Sequence, residues 1–261
     1  TEIAGDWHLA HGVAFCAMLG ALLEFLSGGR MIRIGAFVGL AMLARPTVGL
    51  SAAFFGLPIL LQRDWRSLLR LAAGPIASVF LLAAYNAARF GSPTDFGYER
   101  MFLGSTGLEM MKTYGQFNLA FVPRNLFWFF AAPPALMQTR TFPWIGYDPL
   151  GMSLFIASPA LVYIFGSMTR VRESREVRAA WLGMLLCLIP LLLYFNTGYW
   201  QFGHRFSMDY MPMLMVLMVA GMGGGIGKPA RLLIFASIAF HAYVMFARPI
   251  GSLGIDLVPS A

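Results

Sequence analysis

Side chains able to do chemistry are sparse in this chain, and they gather in four places. Near the start, His8 and His11 are three residues apart with Asp6 close before them, so that a helix would bring a carboxylate near two imidazoles. Such a set can ligate a metal or move protons, and it equally suits the polar entrance of a helix at an interface. Arg45 stands inside the apolar run 34–61, followed by Pro46 and Thr47. A cation at that depth must find a partner or a wet cavity, or else cap the carbonyls of a broken helix. A third cluster lies in Asn196 to Pro212, where Trp200, His204, Arg205 and Asp209 concentrate between two apolar stretches. If a helix has begun by Arg205, that residue and Asp209 lie one turn apart and can pair. An arginine at a helix N-terminus also makes an anion site. The fourth cluster, Asn86 to Arg100, brings Arg89, Asp95, Tyr98, Glu99 and Arg100 to the end of an apolar stretch. Arginines, acids and aromatics at one membrane face suit a lipid head group and a sugar, as well as plain exposed loop polarity.

The elements that must position these residues are helices in a membrane. Of 261 residues, 58% are apolar and only 12% are charged, and the mean hydropathy is +0.68. Soluble domains carry roughly 25% charged residues. Too little polar surface remains to cover a water-soluble globule, so part of the solvent is lipid. The formal charge of +7 does not imply a nucleic-acid partner. Eleven of the 19 Lys and Arg residues fall in short turns between apolar runs, the pattern that marks cytoplasmic loops. Cys16 and Cys187 both fall within apolar stretches, and no cysteine spacing suggests a metal.

The apolar runs predict spans at about 8–26, 68–89, 150–169, 179–195, 208–226 and 231–250. Arginine-bearing turns flank 34–61 on both sides, so that run must enter and return. A hairpin of two short helices broken at Arg45-Pro46 achieves this, because proline removes a helix hydrogen bond and restricts the residue before it. The expected fold is therefore all-α: a single transmembrane domain over 1–261 with about eight membrane segments, the broken hairpin included. Residues 90–149 read as a long outer-face loop, with an interfacial helix where Phe127, Trp128, Phe129 and Phe130 follow one another. The charge bias places both ends of the chain outside. The opening at Thr1, on the edge of a span, leads us to expect the later part of a longer protein. Gly35 and Gly39, and likewise Gly221 and Gly225, have the spacing that lets helices approach closely. The stretch from Gly221 to Lys228 is no phosphate loop, since Pro229 stands where Ser or Thr is required.

Four of these stretches, in order, carry a family resemblance. "LARPT" in the broken run, "YNAARFGSPTDFGYERMFLG" at a span exit, "FPWIGYDPLGMSLFIASPAL" and "YWQFGHRFSMDYMPML" together resemble bacterial integral-membrane glycosyltransferases of the GT-C class. The likeness is greatest to members related to the dolichyl-phosphate-mannose protein mannosyltransferases, and it covers roughly residues 8–250. It implies sugar transfer from a polyprenyl-phosphate donor to an acceptor at the outer face of a bacterial plasma membrane. In that family a catalytic acid lies in the first outer loop, for which this chain shows no counterpart, so that acid is expected upstream.

Such a reaction needs a base for the acceptor hydroxyl, cations for the departing lipid phosphate, and an apolar path for the isoprenoid tail. Asp6 and His8 are the acid–base candidates, and Arg205, Arg89 and Arg45 are the candidates for the phosphate. Tyr98, Trp200, His204 and Asp209 are the candidates for the sugar or acceptor. No resident cofactor is expected and no metal site is assigned, although a divalent metal is compatible with the chemistry. Besides membrane lipid and the lipid-linked donor, no partner is implied. The rival reading is a multi-pass transporter or flippase subunit, for which the broken helix at Arg45-Pro46 speaks.

Overall fold

The computed structural model describes residues 2–97, 105–136, 144–146, 148, 150–198 and 201–244. Among the described residues the regular structure is helical apart from a two-residue strand pair, β1 (Ala135–Leu136) with β2 (Ile145–Gly146). Three helices among the described residues are long and apolar enough to cross a membrane: His8–Leu26, Trp65–Phe90 and Arg175–Leu193. Shorter apolar helical stretches occupy Met31–Ala44, Pro46–Leu61, Leu119–Ala131 and Met211–Gly221. The chain divides into two compact units, one built on 1–108 with 178–187 and 208–213, the other on 109–177, 188–207 and 214–261.

The first unit begins with α1 (Glu2–Leu26) and α2 (Met31–Ala44), joined by a tight turn. Gly28 takes a positive φ of 66° there, and Gly29 N–H donates to the Glu24 carbonyl at 2.8 Å. The Glu24 carboxylate fastens the same turn, accepting from Arg30 N–H at 3.0 Å and pairing with Arg33 Nε at 3.0 Å. α2 stops at Ala44, where Arg45 is extended (φ −145°, ψ 95°) ahead of Pro46. Proline excludes the preceding residue from helical geometry and then sits comfortably at the first position of the next turn. A 3-10 helix, Pro46–Ala52, runs directly into α3 (Ala53–Leu61), so the apolar run is broken at the expected place.

α4 (Trp65–Phe90) is the longest element, about 39 Å at the helical rise per residue. Asp64 caps its start by accepting from Ser67 N–H at 3.1 Å, and Gly91 ends it in the left-handed conformation. α2 and α4 pack backbone to backbone. A Cβ on Gly39 would come within 2.6 Å of the Gly74 carbonyl oxygen, and one on Gly74 would overlap the Gly35 carbonyl. Ser78 Oγ closes the contact, donating to Gly39 O at 2.8 Å. Small residues remove the side-chain layer, which is how helices associate where lipid is the solvent. The rest of α4 exposes Leu69, Ile76, Val79, Phe80 and Leu81, with Leu69 and Phe80 each 71% accessible. An apolar surface so open suits acyl chains, not water.

The second unit takes in most of α5 (Ser105–Tyr114), a short 3-10 turn, α6 (Val122–Leu126) and a π-helical turn Phe127–Ala131. Asn125 Nδ2 faces the carbonyls of Leu191, Leu192 and Tyr194 at 3.2, 2.8 and 2.8 Å, satisfying the end of α8 (Arg175–Leu193). The aromatic run expected at an interface is partly interior, with Trp128 and Phe129 buried and Phe130 42% exposed. Where one continuous span was expected at 150–169, the chain forms a four-residue helix, α7 (Leu154–Ala157), and then a 3-10 helix Pro159–Arg170. Pro159 forces the division by the same rule that acts at Pro46. α9 (Met211–Gly221) is shorter than expected, ending ahead of Gly223 and Gly224, which take φ of 73° and 92°. α10 (Lys228–Val244) follows. A Cβ at Gly221 would overlap the Tyr163 carbonyl, but Gly225 has open space around it, so only the first glycine of that pair makes a close contact.

Candidate functional site

The polar centre of the first unit is assembled from residues distant in sequence. α1 buries one stripe, His11, Ala14, Met18 and Ala21, at helical spacing, so His11 shares a face with core residues and is 1% exposed. Arg45 sits at the break after α2, and Thr47 in the 3-10 turn that follows. Asp209 closes a short 3-10 helix, Arg205–Asp209, just before α9.

These four side chains meet on one carboxylate. Asp209 Oδ1 lies 2.8 Å from His11 Nδ1. Arg45 donates through Nη2 to Oδ2 at 3.0 Å and through Nε to Oδ1 at 3.4 Å. Thr47 Oγ1 donates to Oδ2 at 3.0 Å. The Asp209 side chain is wholly buried, whereas 22% of the Arg45 side chain is accessible. An ionised carboxylate only accepts, so the proton between Asp209 and His11 belongs on Nδ1. Both carboxylate oxygens are engaged twice, and a buried charge persists only when it is satisfied in this way.

The surroundings are tight and partly polar. Ser51 Oγ donates to Val48 O at 2.6 Å, and the Cys187 thiol lies 3.6 Å from the Thr47 carbonyl oxygen. Tyr210 is fully buried next in sequence to Asp209. In the helical hairpin of α1 and α2 the basic turn at Arg30 and Arg33 lies at one end, and Arg45 ends the far side of α2. The cluster is therefore removed from the arginine-bearing turns.

The other expected residues fare differently. Asp6 lies on α1, but its side chain falls outside the described residues, as do Tyr98 and Trp200. His8 is exposed, one helical turn before His11. Asp209, expected to pair with Arg205 in its own loop, instead engages His11 and Arg45. Arg205 is 9% exposed, and its guanidinium carbon lies 5.2 Å from the centre of the Phe206 ring. His204 is buried with its ring edge-on to Phe129 at 5.0 Å. Both are thus interior residues of the second unit, where Gln201 Oε1 accepts from Arg205 N–H at 3.1 Å.

Arg89, in the last turn of α4, is exposed. It donates through Nη1 to Tyr85 Oη at 2.7 Å, and its guanidinium lies 5.1 Å from the Phe90 ring centre. The loop after it folds back, Asn86 Nδ2 donating to Pro93 O at 3.3 Å and Asp95 Oδ1 accepting from Gly97 N–H at 2.7 Å. Among the described residues no group of three or more His, Cys, Asp or Glu side chains is arranged to hold a metal.

The residue that sequence reasoning missed is His11 as partner of Asp209, together with the Thr47 hydroxyl. The available signal was Arg45 itself, since an ionisable group in an apolar run demands a counter-charge. No family model, curated protein or solved structure matches this chain.

Proposed function

We propose that this chain belongs to a membrane-embedded transferase that moves a sugar from a polyprenyl-phosphate donor to an acceptor at the outer face of a bacterial plasma membrane. The observation that carries this reading is the His11–Arg45–Thr47–Asp209 cluster, built at the helix ends away from the basic turns. By the positive-inside bias those turns are cytoplasmic, which puts the cluster toward the outer leaflet with both ends of the chain outside. About eight membrane segments follow if the shorter apolar helices are embedded as well.

Within that reading the residues have distinct tasks. Arg89, at the outer end of the most lipid-exposed helix, meets the donor phosphate with help from Tyr85. The open apolar face of α4 leaves room for an isoprenoid tail. His8, exposed one turn beyond the buried His11, is the accessible acid–base candidate, with Asp6 beside it on α1. The buried cluster holds Arg45 and the hairpin tip in place instead of touching the sugar. Arg205 is buried in the second unit, whereas Arg89 is exposed and open to a donor.

A donor-dependent transfer assay on the full-length protein in liposomes tests this. Removing an arginine–phosphate contact costs about 1.5–3 kcal/mol, so Arg89→Ala should raise the donor KM by about ten- to a hundredfold. Unchanged donor dependence would remove Arg89 from the site. A transporter or flippase subunit is the second reading, favoured by a buried acid–base pair at a helix break. Lipid-linked sugar crossing the bilayer with no transfer to acceptor, and abolished in Asp209→Asn, would select it.

A further inference from the structure

At the opposite end of the first unit, the α1–α2 turn and the start of α4 border a cavity of about 490 Å³. Gly29, Arg30, Met31, Ile32, Ser67 and Arg70 line it. We propose that this cavity is a binding site for the phosphate of an anionic phospholipid, with the acyl chains lying along the adjoining apolar surface.

The cavity lies in a strongly basic region. The helix ends here carry Arg30, Arg33, Arg63, Arg66 and Arg70 against two carboxylates, Glu24 and Asp64. Glu24 is committed to Arg33 and to the Arg30 amide. Asp64 is committed to Ser67 N–H at the start of α4, with Arg70 contributing a more distant attraction. Arg30 and Arg70 are exposed, and neither has a carboxylate within ion-pairing distance among the described residues. Arg30 and Arg70 thus border one concavity, a pair of cations suited to phosphate oxygens. The first turn of α2 adds to it, because Arg30 at its N-cap supplies no side-chain cap to the open amides.

The rim of the cavity is also amphipathic. Ile32 in the lining is 46% exposed, and Trp65 and Leu69 beside the arginines of α4 are 59% and 71% exposed. Free phosphate would use the cations but gain nothing from this apolar rim. A lipid uses both, and tryptophan at the headgroup level is the usual anchor. The site is independent of the transferase reading, since it lies at the other end of the helices.

Native mass spectrometry of the purified full-length protein in detergent, titrated with phosphatidylglycerol, phosphatidylcholine or inorganic phosphate, tests the proposal. The protein should retain phosphatidylglycerol in preference to phosphatidylcholine. The double variant Arg30→Gln/Arg70→Gln should weaken phosphatidylglycerol binding by about thirtyfold, two charges near a membrane surface being removed. The equally charged control Arg63→Gln/Arg66→Gln, outside the lining, should lose less than about threefold. Equal losses in both variants would overturn the site in favour of a diffuse basic surface. Inorganic phosphate competing as well as lipid, or a lipid-free dimer protected by the same two arginines, would overturn the lipid as occupant.

Discussion

Asp209 Oδ1 and His11 Nδ1 lie 2.8 Å apart, joining two residues separated by 198 positions in the chain. Arg45 reaches the same carboxylate from the break in the α2 run, so one acid ties α1, the hairpin tip and the start of α9 together. Removing one partner of a buried pair leaves the other charge uncompensated.

Asp209→Ala should therefore destabilise the protein by about 3–5 kcal/mol, read as loss of thermal or denaturant resistance in detergent. Arg45→Met in the same background should restore part of that loss, because it removes the stranded cation. A double variant as unstable as the sum of the two single variants would deny the coupling.

Glycines on α4 and α1 give predictions of opposite sign. Gly74→Ala forces a methyl into the Gly35 backbone and should cost about 1–3 kcal/mol, the range for overpacking. Gly12→Ala on α1 meets nothing within 4 Å and should stabilise by about 0.5–1 kcal/mol through helix propensity. Unfolding midpoints of the two variants check both.

Asn125 should resist a change of charge more than a change of size. Its amide nitrogen faces three carbonyls at the end of α8, which an aspartate cannot do as a donor. Asn125→Ala should cost about 1–3 kcal/mol for the carbonyls left bare, and Asn125→Asp more, by repulsion. Denaturant titrations that rank Asp above Ala in stability would contradict the capping role.

Acid should loosen the start of α4. The Asp64 carboxyl is held below its ordinary value, chiefly by hydrogen bonds from Ser67. A depressed folded value means the contribution is complete above the unfolded value, about 3.9, and fades as pH falls through the depressed one. Protection of the Ser67 amide should thus fall on acidification below about pH 4 in the native protein. Asp64→Ala should lack that step at every pH.

How much of this was legible beforehand depended on the range of the interaction. The apolar stretches, the break at Arg45-Pro46 and the close approach through Gly35 and Gly39 are local or periodic properties, so they could be read directly. The division at Pro159 obeyed the same local rule as Pro46, yet the unbroken hydropathy around it read as one span. Arg45 announced that a counter-charge must exist, because lipid does not tolerate a lone cation, but nothing in its neighbourhood said which acid would supply it. Arg205 was the nearer choice for Asp209 by helical spacing. His11 took the place because burial on the α1 stripe gave its imidazole no water to bond. The sequence alone determined a helical membrane chain with basic turns and a broken hairpin, since lipid selects for apolarity and proline for breaks, residue by residue. Only tertiary structure decided which carboxylate answers Arg45 and His11, because that choice is made by packing between segments far apart in the chain.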